Sequence, residues 1–404
     1  MLNQEFKVPA KLKTTAYTLL GIGIVTFLAG LIFLLMRGDQ MAQNRFWAVL
    51  LQNSIFFLLI SLASVFILSA TSLAQGGWIV AFRRIPEAIG SVVWIFAIIL
   101  GVILMILVWT NNTQIYRWLE PGYNPNNSLN ALKNFFLSKP FFTFWTILTL
   151  ALWGWFGVKL RELSIQQDSE PKGSTKIYWL NFNYSAGFIF VFALTLASTI
   201  PWLWIMSIDS HWFSTMFSWY TFASSFVSGM SMLMLWILYT KRHGYLDIVT
   251  DEHIHDVGKF MFAFSIFWTY LWFSQFMLIW YANIPEETVY FQIRMHGPYR
   301  IFYWLNIILN FVAPILILMP RPNKRNYFVV ALVAIIILIG HWIDFYQMIM
   351  PTTVGENWHL GWFEIGILCG FIGLIMFLVS DKLTKAPLIP QNHPFLKETV
   401  IHIS

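Results

Sequence analysis

The chain has 404 residues, of which 58% are hydrophobic and only 11% charged, with 21 Trp and 38 Phe. Several apolar runs approach twenty residues, enough to cross a hydrocarbon core about 30 Å thick, so the composition excludes a soluble globular domain. One cysteine, Cys369, excludes an internal disulfide framework, a cysteine-ligated iron–sulfur cluster and a CxxCH haem attachment, and the net charge of +6 is read as membrane topology, not nucleic-acid binding.

In chain order, apolar windows at 17–36, 46–72, 89–110, 141–158, 184–206, 212–239, 260–282, 301–319, 327–348 and 362–380 predict an all-α polytopic membrane protein of ten spans in a single membrane domain. Lys7, Lys11 and Lys13 precede the first run and no small-residue cleavage site follows it, so span 1 is expected to be retained. With both termini in the cytoplasm, eighteen of the 25 Lys and Arg fall on the inner side, and Arg45 and Arg294 are among the seven outside. Trp109, Trp280, Tyr281, Trp358 and Trp362 stand at outer span ends, where amphipathic rings favour the headgroup layer. The longest loops are expected at 111–139 outside and at 160–183 inside, where "SIQQDSEPKGSTK" reads as flexible surface.

Weak internal similarity links "IPEAIGSVVWIF" entering span 3 to "HIHDVGKFMFAF" entering span 7, and "KPFFTFW" entering span 4 to "GPYRIFYW" entering span 8. An offset of four helices preserves direction, which predicts a parallel repeat: four-helix bundles at 46–206 and 212–348, flanked by spans 1 and 10. No Gly/Pro-broken helix pair is expected at matched positions. Gly and Ser in "FASSFVSGMSM" of span 6 are read as close-packing positions without chemistry.

A charge at the bilayer centre costs about 2.5–3.5 kcal/mol on insertion scales, so every intramembrane ionisable residue is a candidate functional group. None is expected inside spans 2 to 6 or 8. In span 9, His341 and Asp344 are three apart and share a helix face, with Tyr346 and Gln347 close above. Asp344 would lie about 26 Å along that helix, where Glu364 at the start of span 10 could face it, and Glu356 and His359 occupy the loop between. A proton-conducting or quinone-facing cluster and a structural tie between helices are both open for this group.

The second candidate is "TDEHIHDVGKF" at the inner entrance of span 7, which contains Asp251, Glu252, His253, His255, Asp256 and Lys259. Helix capping accounts for the acids but not for two histidines. Asp251 and His255, and His255 and Lys259, are four apart, giving a titratable row that could collect protons. Gln275, Tyr270 and Ser274 are the obvious polar steps further along span 7. His-x-His points to opposite sides of a helix and no nearby residue completes a shell, so no metal site is expected. Two bis-histidine haems need four histidines at membrane depth and only His341 qualifies, which excludes a cytochrome b. Between spans 5 and 6, Asp209 or Ser210 is expected to cap span 6; after span 7, Asn283 or Pro285 should start a short interfacial helix with Glu286 and Glu287 in its first turn.

The segment "DEHIHDVGKFMFAFSIFWTYLWFSQFMLIWYANIPEET" together with "SIDSHWFSTMF" resembles the NrfD-like membrane subunits, most closely the ActF-type subunit of alternative complex III, a quinol:electron acceptor oxidoreductase. The resemblance runs over all ten spans and is strongest from Asp247 to Thr288. It implies two four-helix bundles with flanking helices, a bacterial inner-membrane location, and partners that carry the cofactors this chain lacks. Those partners are an ActC-type subunit, an iron–sulfur subunit, haem c subunits and a terminal oxidase, with quinol oxidised outside this chain. In the family, quinol chemistry uses His and Asp side chains at the outer side of the first bundle of the ActC-type subunit; here that bundle has none. The expected role is therefore an accessory membrane subunit that holds the assembly together, with proton conduction as a further role. A proton pathway would use Asp251, His253, His255, Asp256 and Lys259 as entry and His341, Asp344 and Glu364 as the outer half. A second quinone site, an inert scaffold and a secondary transporter are the alternatives.

Overall fold

The computed structural model describes residues 5–37, 39–120, 131–355 and 360–402. Among these residues every regular element is a helix, ten of them long and apolar enough to cross a membrane, as in a multi-pass membrane protein. They are α1 (Ala10–Arg37), α2 (Gln40–Leu73), α3 (Arg84–Trp109), α4 (Lys139–Asp168), α5 (Lys176–Ile208), α6 (Phe217–Arg242), α7 (Asp251–Ala282), α8 (Arg300–Leu318), α9 (Tyr327–Thr353) and α10 (Trp362–Leu383). The end at which α1 begins and α10 finishes is called the terminal end.

Several helices run past the apolar windows, chiefly at the terminal end. Where polar side chains find partners, backbone hydrogen bonding carries a helix beyond the last hydrophobic residue. α3 starts at Arg84 and α4 continues to Asp168, so the supposed long loop at 160–183 shrinks to the residues between Asp168 and Lys176. Part of the expected 111–139 loop, residues 121–130, lies outside the described residues, and so do Glu356, Trp358 and His359. Trp109, Trp280, Tyr281 and Trp362 are exposed at helix ends, as interfacial anchors are.

α2 and α6 form the centre: 89% of the most apolar stretch of each is buried, against 17% for α1. They pack on each other, and Gly229 makes the approach possible, because a Cβ there would lie 2.4 Å from the Ala63 Cβ and 3.0 Å from the Ile60 carbonyl oxygen. α2 also contacts α3, α5 and α9, α4 lies between α3 and α5, and α6, α7, α8 and α9 pack around one another. α1 and α10 pair at the periphery through small residues; a Cβ on Gly23 would sit 2.2 Å from the Gly370 Cα.

Two spans are interrupted. α5 widens into a π turn at Thr195–Thr199 ahead of Pro201, and α8 does so at Ile308–Val312 ahead of Pro314. A helical proline lacks an N–H and crowds the preceding turn, and a wider turn relieves both. In α5 the Ser198 and Thr199 hydroxyls donate to the Leu194 carbonyl at 2.7 Å each. The interruptions are three spans apart, so an offset of four does not relate them.

Gly370→Val should lower the melting temperature in detergent, with a destabilisation of about 1–3 kcal/mol from overpacking against α1. Gly21→Val, whose Cβ meets nothing within 4 Å, should leave it unchanged.

Candidate functional site

Each of the four helices α6 to α9 contributes to one buried polar cluster centred on Asp344, which is 0% exposed. From α6, Tyr220 donates its hydroxyl to Oδ1 and Ser224 donates to Oδ2 at 2.9 Å. From α7, the Trp268 indole donates to Oδ2 at 3.0 Å, and from α8 the Asn306 amide donates to Oδ1 at 2.8 Å. Two donors per oxygen replace the water that a carboxylate would lose on burial. Asn310, inside the π turn of α8, bonds Asn306 in turn, and Gly340 on α9 leaves room for it: a Cβ at 340 would fall 2.1 Å from Asn310 Oδ1.

His341 lies beside this carboxylate, as the three-residue spacing predicts, with Nδ1 3.6 Å from Asp344 Oδ2. The closer link runs through Ser224, whose Oγ is 2.9 Å from His341 Nδ1. Because the single Ser224 hydroxyl proton is directed at Asp344, the network assigns the Nδ1 proton to His341, donated to Ser224. His341 Nε2 is buried without a hydrogen-bond partner among the described residues, and the Trp268 ring meets the imidazole edge to face at 5.3 Å. The serine run of α6, read as packing alone, thus supplies one residue of chemistry in Ser224. Tyr220, Trp268 and Asn306 carry no signal of this role in the sequence, being uncharged residues in an aromatic-rich chain.

Glu364 does not face Asp344. Arg45, in the second turn of α2, grips both of its carboxylate oxygens at 2.5 and 2.6 Å, and the Gly361 N–H donates to it at 2.9 Å. An arginine read as a marker of topology therefore takes the acid for itself.

The terminal-end group is also brought together, though as interlocked pairs and not as a row. Thr250 caps α7, and His253 Nδ1 accepts the Thr250 N–H at 3.1 Å while its Nε2 meets the Thr399 hydroxyl at 3.1 Å. One histidine of the pair is thus a capping residue. Asp251 accepts from Tyr327 at 2.7 Å, Glu252 binds Arg325 at 2.7 and 3.0 Å, and Asp256 meets both Lys259 and His402 at 2.5 Å. His255 is buried. Tyr270 faces outward, whereas Gln275 is buried at the opposite end of α7.

At the same end, outside the apolar windows, the extended ends of α3 and α4 hold a buried ionic cluster. Glu87 accepts from Arg83 at 2.9 Å and from Arg84 at 2.8 Å, and Arg84 also bonds Asp168 and the Ser164 hydroxyl. Residues 386–402 lie across this end as a strap: the Gln391 N–H donates to Asp168 at 2.9 Å, Arg83 donates to His393 Nε2 at 3.3 Å, and His402 reaches Asp256. Elsewhere, α6 begins at Phe217 without a side-chain cap, so neither Asp209 nor Ser210 caps it. The short helix Pro285–His296 has Glu286 and Glu287 in its first turn as expected, while Asn283 is the left-handed cap that ends α7.

No protein-family model matches this chain, and no curated protein does.

Burial, and then the Arg83 and Arg84 charges, push the His393 imidazole down to about 2. Its neutral form fits the docked strap, so docking is at full strength above the ordinary histidine pKa and weakens as pH falls through it. Between about pH 7 and pH 5 the loss should be about 2 kcal/mol. Hydrogen exchange over residues 386–402 should accelerate across that range, and His393→Gln should flatten the dependence.

Proposed function

We propose that this chain is a membrane subunit of a respiratory quinol:electron acceptor oxidoreductase of the alternative complex III type, and that it conducts protons through α6 to α9. It carries no redox cofactor of its own. It sits in a bacterial inner membrane with the terminal end in the cytoplasm, beside an ActC-type subunit, an iron–sulfur subunit, haem c subunits and a terminal oxidase. Its two helix groups derive from a parallel duplication. The resemblance of Asp247 to Thr288 to the ActF-type subunits supports the assignment to a complex.

One observation supports the proton reading: a fully buried carboxylate joined through a serine hydroxyl to a histidine whose outer nitrogen is bare. A proton arriving at His341 Nε2 makes the ring cationic. Its Nδ1 proton passes to Ser224 Oγ as the Ser224 proton passes to Asp344 Oδ2. The result is neutral His341 protonated on Nε2 and a neutral Asp344, with every bond of the chain reversed and no heavy atom displaced. Such a device has two states of one hydrogen-bond chain, which is what a proton relay requires.

The scaffold reading draws on the same geometry, since four donors on one carboxylate also tie four helices together. A quinone site has less support. The groove of about 680 Å³ between the α1–α10 pair and α2, α6 and α9 is lined almost wholly by apolar side chains, and the Trp342 indole N–H on its wall turns inward to Asn53 at 3.0 Å. It suits hydrocarbon, not a quinone ring.

Affinity purification of the tagged chain should recover haem c and iron–sulfur subunits with quinol oxidation activity. In that complex, reconstituted in vesicles, Asp344→Asn should reduce protons moved per quinol oxidised while assembly and uncoupled turnover persist. Collapse of turnover in an intact complex would favour the quinone-site reading, and wild-type behaviour in both would make the cluster a scaffold. Recovery of the chain without redox partners would remove the assignment to a complex.

A further inference from the structure

Beyond Asp344, toward the end opposite the termini, a small cavity is lined by Tyr220, Gln275, Tyr290, Arg294, Tyr303 and Gln347, among others. At about 10 Å³ it has room for one water-sized sphere. Arg294 reaches it from the short helix Pro285–His296 and is held there by bonds to the Gln347 carbonyl at 3.0 Å and the Tyr290 carbonyl at 2.7 Å. Its guanidinium carbon lies 3.5 Å from the centre of the Tyr290 ring, which in turn stacks on Trp212 at 4.0 Å.

Two buried donors in the cavity lining, Arg294 Nη2 and Gln347 Nε2, have no hydrogen-bond partner among the described residues, and both residues are only 4% exposed. A buried N–H left unpaired is costly, and more so on a cation. Tyr220 adds the complementary feature. Its hydroxyl proton is committed to Asp344, so its oxygen can only accept from the cavity side. An occupant of one-water size that accepts twice and donates at least once would satisfy all three groups.

We infer that this cavity is a binding site for a single structural water, which accepts from Arg294 and Gln347 and donates to Tyr220. The water extends the relay proposed above, on which this role rests, by two links: Asp344 communicates with the end opposite the termini through Tyr220 and the water, not through Glu364. With Asp344 ionised, the Tyr220 proton passes to Asp344 Oδ1 as a water proton passes to the Tyr220 oxygen; the phenol keeps one proton, and the hydroxide left behind, held by Arg294 and Gln347, takes up a proton from the end opposite the termini. The Arg294 charge favours that hydroxide and disfavours a protonated water, which directs the transfer toward Asp344.

The test uses the intact complex. A high-resolution cryo-electron microscopy map of the wild type should show a discrete water between Arg294 Nη2 and Gln347 Nε2; an empty cavity, or side chains collapsed into it, would overturn the site. In vesicles, Tyr220→Phe removes the phenolic link while Ser224, Trp268 and Asn306 still hold the carboxylate, and Gln347→Met removes a donor and fills the space. Each should lower the protons moved per quinol oxidised, while quinol oxidation itself persists. If Asp344→Asn lowers this ratio and neither of the other two does, the water route fails and the relay stands. If Asp344→Asn has no effect, the relay fails and the water's proton role with it, while the map alone decides the site.

Discussion

A carboxylate inside a membrane-spanning helix group must be given back the hydrogen bonds that water would supply, and the arrangement of α6 to α9 follows from that need. Asp344 receives donors from three other helices, so none of the four can rotate or slide without exposing an unpaired partner. The π turn of α8 and the glycine at 340 fit the same constraint: they bring Asn306 and Asn310 close enough to take part.

The two ends of the molecule use charge differently from this interior. At the terminal end, acids are matched to arginines, lysines and histidines in local pairs, with the 386–402 strap pinning α3, α4 and α7. At the other end, Arg45 holds Glu364, and Arg294 sits buried against aromatic rings. Between them, the Asp344 cluster has neutral donors only. Hydroxyl, indole and amide groups complete the hydrogen bonds of this carboxylate.

The ten helices were legible in the sequence because a run of about twenty apolar residues has few other physical outcomes. Helix ends were not, since hydropathy stops where polarity begins while the backbone ladder continues wherever polar side chains are paired, as at Arg84 and Asp168. His341 and Asp344 could be recognised as a pair from their spacing alone. Their partners could not: Tyr220, Ser224, Trp268 and Asn306 come from distant segments, and uncharged polar residues in apolar helices carry no signal separating a ligand from a packing residue. The misplacement of Glu364 has the same origin, because depth along a helix says which residues share a layer and not which of them face each other. A periodicity check of the polar positions in α6, where Tyr220, Ser224 and Ser228 repeat every four residues, would have flagged that face.

The most direct measurement is infrared difference spectroscopy of the complex during quinol turnover, with the Asp344→Asn variant used to isolate the Asp344 carboxyl band. A relay predicts that the band switches reversibly between carboxylate and carboxylic acid as turnover starts and stops. A carboxylate band that stays constant throughout turnover, in a complex that still moves protons, would show that Asp344 only ties the helices together.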